Sequence, residues 1–276
     1  MTAARSKAGV GRRHWLFLAA LGLCAAAWVA NLAFAELKTG GAWSIGYGAA
    51  ALVLMIVAGA YGLRRRAMSV SSRRRLGNAN AWLSLHTYGG SLFLLLVLMH
   101  SGFGLPSGWV TWGLWILSLW TVFSGFVGLG LQRWIPRLLT SGLSEEVHFD
   151  RVPEIVVSLA ERAHKLAAAS PDAVKELYER RVADEMAAPR RRWLYFADIT
   201  GGMQANLREF RYLGRFLSAE ESEQLNELES LYRAKLEMDA HYTLQLPLRL
   251  WLYAHLPVTC LLFGFLVLHL VSVFLY

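Results

Sequence analysis

Cysteine is almost missing from this chain. Cys24 and Cys260 stand alone, each inside an apolar run. With no C-x-x-C-H sequence and no cysteine cluster, covalent c-type haem attachment and iron–sulfur ligation are both excluded. Acidic residues are equally uneven: nineteen of the twenty lie between positions 140 and 247. Asp, Glu and Lys are absent from 82–103, 111–131 and 249–276, so these runs lack the fixed charges that proton or cation pathways usually carry. A dinucleotide fingerprint is missing too. The one glycine cluster, Gly125-Phe126-Val127-Gly128-Leu129-Gly130, has the wrong order and lies inside an apolar run, where it reads as a helix face. Repeats of the solenoid type are absent.

What the chain has in quantity is apolar length. Runs at 15–35, 43–63, 82–103, 111–131 and 249–276 are each near or above the roughly 20 residues that cross a bilayer as a helix. Hydrophobic residues make up 55% of the chain, which fits an integral membrane protein. Trp15, Trp43, Trp82, Trp109, Trp112, Trp134 and Trp251 stand near run ends, where indoles favour the membrane interface. The expected fold is all-α: a bundle of five membrane helices, four within 1–139 and the fifth within 248–276, with a helical insert at 140–247.

The charges predict an orientation. Arg5, Lys7, Arg12 and Arg13 precede the first span; Arg64, Arg65, Arg66, Arg73, Arg74 and Arg75 separate the second and third; Arg133 and Arg137 follow the fourth. On the other side stand only Glu36 and Lys38, and 101–110 is uncharged. Basic loops stay cytoplasmic, so the N-terminus and the insert are expected inside a bacterial-type inner (plasma) membrane. The net charge of +8 is then a topology signal, and no nucleic-acid partner is expected. Arg12-Arg13, the first apolar run and Ala33-Phe34-Ala35 also resemble a signal sequence, but the run is long for one, and a retained helix is expected.

Two histidine pairs stand out against this background. His86/His100 and His255/His269 are each fourteen residues apart within one span. Four helical turns cover about 14.4 residues, so each pair shares a helix face with its rings about 21 Å apart along the axis. Spans three and five run in the same direction, which sets His86 against His255 near the inner surface and His100 against His269 near the outer one. Trp82-Leu83-Ser84-Leu85-His86 and Trp251-Leu252-Tyr253-Ala254-His255 share W-L-x-x-H at matching depth. Imidazole is a haem-iron ligand, and two rings per iron account for all four deeply placed histidines. A proton relay, or histidines hydrogen-bonded within packed helices, are the alternatives.

Supporting residues follow from position. Gly89 and Gly90 share the His86 face, where they either admit a porphyrin or let helices pack closely; Gly264 is expected to pack against a helix. Arg73, Arg74, Arg75 and Arg249 are candidate partners for inner propionates. Lys38 and the hydroxyls of Ser101, Ser107, Thr111 and Ser272 are the outer counterparts, and Pro257 is expected to bend the fifth span.

Paired histidines on two parallel membrane helices resemble the cytochrome b of quinol-oxidising respiratory complexes and the transmembrane domain of ferric reductases and NADPH oxidases. The resemblance covers spans three to five. It implies that His86, His255, His100 and His269 are axial ligands of two b-type haems stacked across the bilayer. Ligands on spans three and five are more similar to the oxidase group, and the fourteen-residue spacing to cytochrome b. A Pro-Glu-Trp-Tyr quinol-site sequence is absent, and no nucleotide-binding domain is expected after span five.

The expected function is electron transfer across the membrane as the cytochrome subunit of an oxidoreductase complex in a respiratory chain. A quinone pool or a cytoplasmic donor would serve the inner haem. An exterior c-type cytochrome or other redox subunit would serve the outer one. Reduction of ferric iron or oxygen at the outer haem, and a haem-free scaffold or sensor, are the alternatives.

The insert reads as helical. Ile155, Val156, Leu159, Ala163 and Leu166 form an amphipathic stripe, and Pro171 opens a second helix. Ser218-Ala219-Glu220-Glu221 matches a capping box ahead of Leu225, Leu228, Tyr232 and Leu236 on one face. The basic, aromatic segment 190–196 is expected to touch a membrane surface or a partner. Glu145, Glu146, His148 and Asp150 at one end, with Asp239, His241 and Tyr242 at the other, are either proton acceptors and donors for a quinone or solvated residues at a membrane exit.

Overall fold

The computed structural model describes residues 2–34, 40–66, 79–143 and 147–275, and among them every regular element is a helix. Five helices are long and apolar enough to cross a membrane, making this an all-α, multi-pass membrane protein. The long helices are α1 (Thr2–Phe34), α2 (Ala42–Arg66), α3 (Ala79–His100), α4 (Trp109–Gly142) and α10 (Ala219–Leu275). Shorter helices between the last two are α5 (Val152–Ala168), α6 (Asp172–Leu177), α7 (Ala183–Met186), α8 (Ile199–Asn206) and α9 (Arg208–Leu213). The chain forms two compact units, one of residues 1–126 and 255–276, the other of residues 127–254.

In the first unit α2 and α3 pack along their length. Tyr47, Ala51 and Met55 of α2 are buried with Phe93, Leu96 and Met99 of α3, while large side chains such as Trp15, Phe34 and Trp120 face outward. That inside-out distribution suits a hydrocarbon surround, where the backbone is satisfied within each helix. Helix α1 is tied to its neighbours by polar contacts. Arg13 donates to the Asn80 carbonyl at 2.8 Å and to the Ser84 hydroxyl at 3.0 Å, and Tyr47 donates to the Ala27 carbonyl at 3.1 Å.

The third span stops sooner than its apolar run, at His100 rather than 103. Phe103 N–H donates to the Leu98 carbonyl at 2.8 Å and Gly102 N–H to the Met99 carbonyl at 3.1 Å, with Gly102 at φ +63°. This is a Schellman stop, in which the left-handed glycine closes the last carbonyls. It leaves His100 in the final turn.

The second unit is wider than the 140–247 insert at both ends. Helix α4 runs unbroken to Gly142 through Pro136, and α10 runs from Ala219 to Leu275 through Pro247 and Pro257, so none of these three prolines ends a helix. Ile135 of α4 and Leu244 of α10 are fully buried in a core with Val156, Leu159, Ala163, Phe210, Tyr232 and Leu236. The α5 stripe is therefore the core face, with Ile155 and Leu166 at its margin. Pro171 sits at the N-cap of α6 rather than in its first turn. Ahead of α10, Ser218 N–H donates to the Glu221 carboxylate at 2.9 Å and Glu221 N–H to the Ser218 hydroxyl at 3.4 Å, the reciprocal bonds of a capping box. The hydrogen bond from Ser218 holds the Glu221 carboxyl below its ordinary pKa.

Candidate functional site

The first unit brings the histidines together in two places. The rings of His100 and His269 lie 6.3 Å apart, centroid to centroid, at 80° to one another. An imidazole nitrogen binds a first-row metal at about 2 Å, so two rings sharing one iron end-on would have centroids about 6 Å apart. His86 and His255 line a single cleft between α2, α3, α4 and the 255–275 part of α10. The cavity between the helices there is about 100 Å³.

Three of the four rings are oriented at Nδ1. His86 Nδ1 donates to the Ala58 carbonyl at 3.0 Å, and His100 Nδ1 to the Ser44 carbonyl at 2.7 Å. His255 Nδ1 lies 2.8 Å from the Ser124 hydroxyl, which is also 3.0 Å from the Thr121 carbonyl. Ser44 in turn donates to the His100 main-chain carbonyl at 2.8 Å, locking α2 to the end of α3. A proton fixed on Nδ1 leaves the lone pair on Nε2, the tautomer a metal-ligating histidine needs.

The cleft at His86 and His255 suits a flat group. Ala58, Gly59, Gly90 and Gly125 present almost no side chain to it. A Cβ on Gly90 would meet nothing within 4 Å, whereas buried Gly89 faces Leu54 across the α2–α3 contact. Of the two glycines on the His86 face, one therefore opens the cleft and the other packs. Thr121 lines the cleft, and its hydroxyl oxygen is buried with no hydrogen-bond partner among the described residues. At the other pair, Gly48 clears space for a ring: a Cβ there would stand 2.9 Å from His100 Nδ1. Gly264 has only open space around it, so it is not a packing glycine.

Among the described residues no three His, Cys, Asp or Glu side chains form a cage for a metal ion. Haem does not need one, because the porphyrin occupies the remaining iron positions. The donor set at each pair, two imidazoles, is chemically that of a bis-histidine haem.

The other expected site residues are placed as follows. Arg73, Arg74 and Arg75, like Lys38, Glu145 and Glu146, lie outside the described residues. Arg249, in the second unit, pairs with Asp150, stands over the Phe149 ring at 4.8 Å, and meets the Tyr253 hydroxyl at 3.3 Å. Those two hydrogen bonds hold the Arg249 side chain within its own unit. The outer hydroxyls mostly bond their own backbone: Ser101 to Leu98, Thr111 to Ser107 and Gly108, Ser272 to His269.

Within the second unit the two ends of the insert meet. Tyr242 stacks on Phe149 at 4.9 Å, and Gln245 donates to the Val147 carbonyl at 2.7 Å. The solvated reading of these ends does not hold for Asp239 and His241, which are buried. Asp239 is a structural ion. It accepts from Lys235 Nζ at 2.8 Å, Arg192 Nε at 3.0 Å and Arg190 N–H at 2.8 Å. His241 Nδ1 is 3.2 Å from the Gln245 amide. Segment 190–196 is accordingly split. Arg192 and Tyr195 turn inward, and only Arg191, Trp193 and Leu194 remain exposed. Burial pushes the Tyr195 phenol well above its ordinary pKa.

Ser44, Ser124, Gly48 and the Ala58 carbonyl were not singled out by sequence. The only hint was two hydroxyls inside apolar runs. Comparison with protein-family models, curated proteins and solved structures finds no match.

Proposed function

We propose that this protein is a transmembrane b-type cytochrome, the electron-transfer subunit of an oxidoreductase complex. His86 and His255 would hold one haem, and His100 and His269 the other. Each haem, held by its two histidines, would supply a one-electron carrier, which suits electron transfer. The chain's own residues orient the imidazoles through Ala58, Ser124 and Ser44, and exclude water behind the apolar faces of α2, α3, α4 and α10.

One observation carries the reading: two histidines, one from each pair, have Nδ1 committed to a main-chain carbonyl. A proton relay needs rings that exchange partners, and backbone carbonyls hold His86 and His100 against that. The charge asymmetry of the loops favours a cytoplasmic N-terminus in a bacterial-type inner membrane. The circuit then joins a quinone pool or cytoplasmic donor to an exterior redox subunit such as a c-type cytochrome.

The test is haem content. The purified chain should show reduced b-type absorbance bands and two pyridine-haemochrome equivalents per polypeptide. His86→Ala and His269→Ala should each remove one equivalent. A colourless wild-type protein, purified with haem supplied during expression, rules the reading out.

A further inference from the structure

We infer that Trp134, Trp193 and Leu194, with Arg137 and Arg191 beside them, form a binding site for an anionic phospholipid at the membrane interface. The inference does not depend on the haem reading, and every residue in it belongs to the second unit.

Helix α4 sets the depth. Its apolar run ends at 131, and Gln132 and Arg133 follow. At about 1.5 Å of rise per residue, Trp134 stands about 4.5 Å beyond that end. A headgroup layer of about 5–8 Å lies on each side of the hydrocarbon, so the indole falls within it, where tryptophan partitions. Ile135 beside it is fully buried in the core of the unit, while Trp134 is 47% exposed.

A second segment reaches the same place. The Phe196 ring lies 5.6 Å from the Trp134 ring, and Trp193 stacks on Phe196 at 5.9 Å and 19°. The turn is anchored from beneath. Arg192 N–H donates to the Thr243 hydroxyl at 3.0 Å, the Arg192 guanidinium to Asp239 at 3.0 Å, and Tyr195 is buried. With 192 and 195 held inward, Trp193 and Leu194 are held outward, 62% and 76% exposed. Apolar side chains exposed singly are ordinary on a protein surface. A contiguous apolar cluster on an anchored turn marks an interaction surface.

The charges select the occupant. Arg137 follows Trp134 by three residues, which places it on the same helix face, and Arg191 precedes the anchored turn. Both are exposed, and neither forms an ion pair with a described residue. The nearby acid Asp198 is engaged as a helix cap, accepting from the Gly201 N–H at 2.8 Å. Indoles and a leucine with cations at their rim match the acyl boundary and the phosphate of an anionic lipid. The lipid around α4 already lies at this depth.

The experiment uses the full-length chain with Cys24→Ala and Cys260→Ala and has two readouts. First, a nitroxide on Leu194→Cys is measured in nanodiscs for collision with oxygen, which concentrates in the membrane, and with a water-soluble nickel chelate. Its ratio should match that of a lipid labelled at the headgroup or just below it. Second, native mass spectrometry counts phosphatidylglycerol retained after exchange with an equimolar mixture with phosphatidylcholine. The double variant Arg137→Gln, Arg191→Gln should hold about one phosphatidylglycerol fewer per chain, because each arginine near an anionic surface changes binding about fivefold. A label as open to the chelate as a free nitroxide in water overturns the inference, and so does a label shielded from both reagents, which would mean a protein partner. An unchanged phosphatidylglycerol count overturns it as well.

Discussion

Asp239→Asn should unfold the helical unit formed by residues 127–254 more readily than any exposed substitution in it. The carboxylate is fully buried, and so is its partner Lys235, one helical turn away. Arg192 bridges Asp239 and Glu185, and a main-chain N–H of Arg190 completes the site. Removing the carboxylate leaves a buried ammonium without its counter-ion, which costs about 3–5 kcal/mol. Lys235→Met differs, because Asp239 keeps Arg192 and the Arg190 N–H while an apolar side chain fills the space. Its cost should be nearer the ~1 kcal/mol of one net hydrogen bond. Such losses would take up much of the roughly 5–15 kcal/mol that holds a typical domain together. The assay is urea-dependent pulse proteolysis of the full-length protein in nanodiscs, following cleavage within 147–254. Equal effects of the two substitutions, or an Asp239→Asn midpoint close to wild type, would refute the argument that Asp239 is the hub of this cluster.

Two further outcomes follow from the same geometry. Gly48→Val places a branched side chain where even a Cβ stands 2.9 Å from His100 Nδ1, an overpacking cost of about 1–3 kcal/mol; haem content should fall toward one per chain, with the remaining absorbance from the His86/His255 site, and unchanged content would sink the idea. Burial raises the Glu185 pKa, but the Tyr232 hydrogen bond and Arg192 outweigh it and hold the folded value below the ordinary one. Its contribution is therefore complete above the unfolded pKa of about 4.3 and is lost as pH falls through the lower folded value; proteolysis midpoints between pH 3 and 6 should show this loss in wild type and a flatter profile in Glu185→Gln.

Much of this architecture was legible because a bilayer permits so few solutions. A run of twenty apolar residues has to be a helix, and a fourteen-residue spacing has to share its face, so His86, His100, His255 and His269 could be placed from period alone. The capping box at Ser218 was legible for a related reason: its partners lie three residues apart in the chain. Contacts between distant segments were not legible in this way. Gly46, Gly48 and Gly62 look alike in the sequence of α2, yet only Gly48 faces an imidazole, and nothing local to α2 specifies that. Ser124 is one hydroxyl in an apolar run until His255, 131 positions later, arrives beside it. Asp239 reads as a surface acid paired with Lys235 at i, i+4, the usual pattern of a solvated helix face. It is buried because residues 190–192 fold over it and donate both main-chain and guanidinium hydrogen bonds. Period and charge therefore locate the paired histidines, whereas the groups that orient their rings depend on which helices meet. That is why the pairs could be read from the sequence, and the contacts that orient their rings could not.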